Sequence, residues 1–305
     1  MKLRTESDTL GKVEIPMDSL WGPQTQRSIN NFKIGEEGSM PIEVIYAYAI
    51  LKKACAKSNY ELGTVEKAKM ELIVRACEEI IGGKHDKEFP LVIWQTGSGT
   101  QTNMNVNEVI SNLGHILEGK KLTDSNKTLK PNDDVNKSQS SNDSFPTAMH
   151  IAAFRLVKEN AIPALESFHK TLKAKEKEFE KDVKIGRTHL MDATPLTLGQ
   201  EFSGYASQIK HGLKSLRNSL DHLSELAIGG TAVGTGLNCP DDFDKLTVKN
   251  ISKDCNINFK VAENKFEAIA SHDAIVETHS SIKQLAISIY KIANDIRLLG
   301  SGPRA

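Results

Sequence analysis

An excess of charge of either sign is the first thing missing from this sequence of 305 residues, in which 39 Lys and Arg are matched by 39 Asp and Glu. A balanced chain has no field with which to capture nucleic acid or an anionic membrane surface, so neither partner is expected. Long apolar runs are missing too: nothing nears the roughly 18 consecutive apolar residues that a bilayer span needs. The opening MKLRTESDTLGKVEIP interrupts its apolar positions with charges and holds no secretory h-region. The resulting expectation is a soluble, cytoplasmic chain.

Cysteine and aromatic residues are also scarce. Cys55, Cys77, Cys239 and Cys255 make no C-x-x-C pair and have no histidine at ligand spacing, which argues against zinc and against a disulfide framework. Buried, reduced thiols are expected. With aromatics at 6% and 2 Trp, the core falls to Leu, Ile, Val and Ala, while 39% hydrophobic residues over this length predict an ordered protein. A G-x-S-x-G elbow, an H-E-x-x-H helix, a dinucleotide fingerprint and an acidic metal cluster are all absent, so no metal or other cofactor is indicated.

What is present is mostly helical pattern. PIEVIYAYAILKKACAKSNYEL and TVEKAKMELIVRACEEII predict a helical hairpin, the second arm opened by Thr64 as N-cap and closed by Gly82 and Gly83. One apolar helix is expected near 106–117, and another over 147–181, where Pro163 should kink the helix or mark its restart. Ile282, Leu285, Ile289, Ile292, Ile296 and Leu299 follow a 3,4,3,4,3 spacing, which places them on one seam. Ile209, Leu213, Leu216, Leu220 and Leu223 repeat that spacing, so lengthwise packing in a bundle, with self-association, is predicted. The Lys/Glu-rich stretch 173–181 reads as a solvated helix face. Strand signals are confined to short segments near 12–15 and 183–185, enough for small ribbons only, and the fold class is all-α.

Three polar clusters interrupt the helices: Thr96 to Gln101 (TGSGTQ), Asn136 to Asp143 (NKSQSSND) and Gly186 to Pro195 (GRTHLMDATP). Hydroxyls, amides and glycine-freed N–H groups ahead of helix starts are suited to fixing carboxylate oxygens, so a small dianionic acid would suit them. Alone, the first cluster reads as a loop with N-caps, whereas Ser138 to Asn142 supplies five consecutive hydrogen-bonding side chains, more than one cap requires. Among the histidines, His189 lies inside a polar, glycine-preceded loop. An imidazole, with an ordinary pKa of about 6.5, can exchange a proton near neutrality.

Together these segments resemble class II fumarate hydratase of the fumarase/aspartase superfamily. WQTGSGTQTNMNVNEV, PNDDVNKSQSSNDSFPTAMHIA, KIGRTHLMDATPLTLGQEFSGY and LAIGGTAVGTGLN match four family blocks in order, and the similarity runs from the N-terminus to SGPRA. TGSGTQ and Thr188-His189-Leu190 favour the hydratase over the related aspartate ammonia-lyases. The resemblance implies an N-terminal mixed loop and helix domain over 1–137 and a partial central helical-bundle domain over 138–305. It further implies metal-free, reversible anti addition of water to fumarate giving (S)-malate in the tricarboxylic acid cycle, by a homotetramer.

Carried over residue by residue, Ser98, Gly99 and Thr100 would contact a substrate carboxylate, Ser140, Ser141 and Asn142 would line the same pocket, and Thr188 would join them. His189 would hold or relay the proton of the leaving water. Two departures bear on this. At the family's second dicarboxylate site, His-Pro-Asn-Asp is replaced by Lys130, Pro131, Asn132 and Asp133, which keeps positive charge but loses imidazole titration. The sequence also stops before the family's Gly-Ser-Ser-x-Met-Pro-x-Lys-x-Asn-Pro loop, which carries the serine base and a substrate-binding lysine. The C-terminal part of the fold is therefore expected to be absent, the 282–299 seam to need another chain to cover it, and this chain alone to have little or no hydratase activity. An aspartate ammonia-lyase-like enzyme and a non-catalytic helical assembly protein are the alternatives.

Overall fold

The chain runs β1 (Leu3–Asp8), β2 (Gly11–Pro16), α1 (Pro23–Asn31), α2 (Ile42–Glu61), α3 (Lys67–Ile81), α4 (Thr100–Leu117), α5 (Ser141–Leu156), α6 (Ile162–Glu178), β3 (Val183–Thr188), β4 (Met191–Thr197), α7 (Leu198–Leu223), β5 (Glu225–Leu226), α8 (Phe243–Cys255), β6 (Lys260–Val261), α9 (Lys265–Ala270) and α10 (Asp273–Leu299). The computed structural model describes residues 2–124, 126–300 and 302, so residues 301 and 303–305 of the terminal SGPRA lie outside it. The fold is mostly helical, with three two-stranded sheets among the described residues. Among the described residues no helix is long and apolar enough to cross a membrane.

Two packing units result: Met1–Ala152 with Ser224–His272, and Ala153–Leu223 with Asp273–Ala305. Each draws on two chain segments, whereas the division expected at 137/138 is a single cut along the sequence.

In the first unit, α2 is buried on nearly every face from Ile45 to Asn59, as a helix without a polar side must be. It pairs with α3 in the expected hairpin. Thr64 does not cap α3, however: its hydroxyl donates back to the Asn59 carbonyl (3.1 Å) and side-chain oxygen (2.8 Å), and the helix starts after Glu66. The helix expected near 106–117 begins earlier, at Thr100, and buries Asn103, Asn105, Asn107, Glu108, Ser111, Asn112 and His115. Buried polar groups need partners. Glu108 finds four, accepting from the N–H groups of Gly22 (2.9 Å), Gln24 (2.8 Å) and Thr25 (3.1 Å) and from the Thr25 hydroxyl (2.6 Å). It thereby caps α1, whose preceding residue Gly22 has no side chain to do so.

In the second unit, α7 packs against both α6 and α10 over a core that includes Leu172, Ile209, Leu213, Leu216, Leu285 and Ile292. Chain continuity at Pro163 is kept by a π-helical stretch, Val157–Ala161, followed by a restart with the proline in the first turn of α6. Within this chain the α10 seam is covered only in part. Leu285 and Ile292 are buried, but Ile282, Ile289 and Ile296 are 41%, 36% and 45% exposed. The buried row is instead Ala274, Thr278, Ser281, Leu285, Ser288 and Ile292. Its small side chains let α10 come close to Gly212 of α7, where a Cβ would lie 2.3 Å from Leu285 Cδ2. Spacing alone cannot separate two apolar-containing rows on one helix.

The cysteines divide as well. Among the described residues none of the four forms a disulfide, yet only Cys55 and Cys77 are buried, while Cys239 and Cys255 are half-buried.

Candidate active site

Two of the three polar clusters meet in the first unit. Gly99, in the left-handed region with φ 68°, turns the chain into α4, and its Cα–H side faces Phe145 so closely that a Cβ would fall 2.1 Å from the ring. Thr100 then opens α4 as Ser141 opens α5, and their hydroxyl oxygens are 3.1 Å apart. Ser98 extends the chain of hydroxyls at 3.0 Å from Thr100. Two helix starts thus converge, each bringing a partial positive charge.

These groups border a cavity of about 460 Å³ lined by Thr100, Asn103 and Met104 of α4, by Asn132, Asn136 and Ser138–Ser141, and by the loop residues Thr231–Val233, Thr235, Leu237 and Asn238. No lining residue carries a carboxylate, imidazole or amine. The lining is therefore a set of neutral donors and acceptors, able to hold carboxylate oxygens but not to transfer a proton near neutral pH.

Two buried charged groups stand behind that lining. Asp143, fully buried, accepts from the N–H groups of Ser140 (2.9 Å), Gly229 (3.1 Å) and Thr231 (2.8 Å), so one carboxyl fixes both the start of α5 and the facing loop. Burial pushes its pKa up to about 6, against the three N–H donors and Lys52, which pull it down. Asn142 adds a second tie, its amide donating to the Ala232 carbonyl at 2.8 Å. Lys52, also fully buried, donates to Asn103 Oδ1 (2.7 Å), Asn136 Oδ1 (2.8 Å) and Gln139 Oε1 (2.9 Å). Burial pulls its pKa down to about 8.

Of the residues expected from sequence, Thr100, Ser140 and Ser141 line the cavity, and Ser98, Gly99 and Asn142 adjoin it through the contacts just given. Thr188 and His189 belong to the second unit, where both are exposed on the β3–β4 hairpin. His189 and Leu190 form its turn, with φ 51° and 63°. The stretch Lys130–Asp133 divides: Asn132 borders the hydroxyl-lined cavity, whereas Lys130 and Pro131 border a separate groove of about 660 Å³ with Arg4, Lys12 and Lys127. The Lys130 ammonium lies 3.9 Å from Asp133. Lys52 was missed by sequence reasoning, although a lysine inside AILKKACA was the available signal. Among the described residues, no group of three or more His, Cys, Asp or Glu is placed to hold a metal ion.

The family model described as lyase matches residues 11–305. Class II fumarate hydratases of Pasteurella multocida and Haemophilus influenzae are each 60% identical over 305 residues, covering 100% of this chain and 66% of theirs. The chain thus spans about two thirds of the length of these curated relatives. The crystal structure of recombinant class II fumarase from Schistosoma mansoni superposes with a TM-score of 0.96 at 41% identity, covering 100% of this chain and 67% of that one.

Proposed function

Given that the chain belongs to the lyase family and is a homologue of class II fumarate hydratase, we propose that the protein adds water reversibly to fumarate, giving (S)-malate, as a cytoplasmic enzyme of the tricarboxylic acid cycle. The observation that carries this to a site is the pairing of the Thr100 and Ser141 hydroxyls where two helix starts converge on a neutral, donor-rich cavity. Taking a proton from the carbon beside a carboxylate builds negative charge on that carboxylate. Fixed donors stabilise the resulting aci-carboxylate more than the ground state, which lowers the barrier. In this role Ser98, Gly99 and Thr100 hold the carboxylate from the α4 side, and Ser140, Ser141 and Asn142 from the α5 side.

Since the lining has no group that titrates near neutrality, the proton must be handled from outside it. His189, with Thr188 beside it, fills that role for the departing water once copies of the chain assemble into a homotetramer. The base that removes the carbon-bound proton is the serine of the family loop that this sequence does not contain, so the 305-residue chain alone forms little or no malate. At the groove of Lys130 the protein binds a second dicarboxylate by charge.

The test uses protein isolated from its native source and two variants, Thr100→Val and Ser141→Ala. Each should lower kcat/KM for fumarate by about 10²-fold, as loss of one oxyanion donor does. Unchanged kinetics in both variants would remove the cavity from the reaction, and robust malate formation by the purified 305-residue chain would overturn the statement about its inactivity.

A further inference from the structure

The cavity proposed for a dianion has no charge on its walls, so its preference must come from what lies behind them. One cation is there. Lys52 reaches from α2 to three side-chain oxygens, those of Asn103, Asn136 and Gln139, and all three residues border the cavity. Its three ammonium hydrogens are thus matched by three acceptors. The same amides are linked onward: Asn103 and Asn107 both donate to Asn136 Oδ1, at 3.2 and 3.3 Å, and the Ser144 hydroxyl donates to Asn103 Oδ1 at 3.2 Å. With its oxygens turned to the ammonium, each amide has its orientation set.

Filling of space alone does not account for an ammonium at this position, although its removal would leave the Asn103, Asn136 and Gln139 oxygens without their shared donor. An apolar side chain of similar length would fill the space without the cost of desolvating a charge. Among the groups that face it, the charge is offset by a single carboxylate. Facing it are Tyr48 and Cys55 on α2 itself, Cys77 on α3 and Asp143 on α5. Burial pushes the phenol and both thiols up, leaving them neutral. Only Asp143 is anionic, and its oxygens already accept three backbone N–H bonds.

We propose that Lys52 is the positioning residue that makes this neutral cavity select a dianion, orienting the Asn103, Asn136 and Gln139 amides and placing a positive potential behind them. The inference rests on the proposed dicarboxylate function of the same cavity. Because burial lowers the ammonium's pKa to about 8, the selectivity is lost in mildly alkaline solution.

The experiment is calorimetric titration of fumarate, and of its neutral diamide fumaramide, into the protein as its native host makes it, from about pH 6.5 to about pH 9.5. The fumarate Kd should rise on the order of tenfold as pH passes about 8, with the fumaramide Kd flat, because only the charged ligand senses the ammonium. Lys52→Met should lose on the order of tenfold in its fumarate-to-fumaramide affinity ratio at neutral pH, and lose the alkaline limb. Lys52→Arg, charged throughout the range, should keep the preference for fumarate and also lose the limb. A fumarate Kd that is flat with pH in the unsubstituted protein overturns the role of Lys52 while leaving the dicarboxylate function standing, and this holds even where a variant fails to fold. A Lys52→Met protein with an unchanged fumarate-to-fumaramide ratio does the same. Binding of neither ligand at any pH overturns the cavity's dicarboxylate function and this proposal with it.

Discussion

Replacing Asp143 by Asn separates the two things its carboxyl does, accepting hydrogen bonds and carrying a buried charge. Asp143 Oδ2 holds Gly229 and Thr231, and Oδ1 holds Ser140. An amide keeps one acceptor oxygen, enough for the loop, but turns its NH2 toward the Ser140 N–H. One buried donor loses its partner, at a cost of about 1 to 3 kcal/mol. The pH dependence is the sharper quantity. Burial raises the carboxyl pKa from 3.8 to about 6, so the folded state binds this proton more tightly than the unfolded state. The resulting stabilisation is full below about pH 3.8 and is lost as pH rises through about 6. Between about pH 5 and about pH 7.5, some 1.4 kcal/mol of it disappears in the unsubstituted protein and none in the variant, which has no proton to lose. The penalty of Asp143→Asn should therefore be about 1.4 kcal/mol larger at the lower pH. Urea unfolding followed by tryptophan fluorescence measures it, because both tryptophans, Trp21 and Trp94, belong to the first unit with Asp143. An equal penalty at the two pH values, or a larger one at pH 7.5, would refute the buried-charge argument.

Three further outcomes are expected. Glu108→Ala strands the N–H groups of Gly22, Gln24 and Thr25, and should lower stability by about 3 kcal/mol in the same unfolding assay; a loss below about 0.5 kcal/mol would mean that α1 is capped in another way. Gly212→Ala puts a Cβ against Leu285 and should cost about 1 to 3 kcal/mol, much of it recovered in a Gly212→Ala, Leu285→Ala double variant, as a thermal-unfolding double-mutant cycle would register. Lys130→His should bring a titration near neutral pH to anion binding in the Lys130 groove, and identical pH profiles in the two proteins would argue against dicarboxylate binding there.

Much of the architecture was readable from the pattern of side chains, because helix periodicity and glycine stops are local signals. The α2–α3 hairpin, the restart at Pro163 and the short ribbons at β2 and β3 all followed from such signals. Thr64 misled because α3 starts two residues further on, after Glu66, while the Thr64 hydroxyl donates back to Asn59. The α10 seam is left exposed at Ile282, Ile289 and Ile296, as expected of a seam that another chain must cover, while the close approach at Gly212, which apolarity does not reveal, decided which row is buried within this chain. In the candidate site, the density of hydroxyls and amides marked the clusters at Ser98 and Ser140. That the Thr100 and Ser141 hydroxyls would lie 3.1 Å apart depends on how α4 and α5 pack, the two residues being 41 positions apart in the chain. Lys52 was harder still, since its part in the cavity requires that Asn103, Asn136 and Gln139 all turn their oxygens toward one point.

The central claim, that this donor-lined cavity serves fumarate hydration, is tested most directly by incubating the protein from its native source with fumarate in deuterated water. Nuclear magnetic resonance then identifies the product and the position of its deuterium. The account predicts (S)-malate carrying a single deuterium placed by anti addition, with formation slowed by Thr100→Val. Absence of malate, or release of ammonia from aspartate in a parallel reaction, would contradict it.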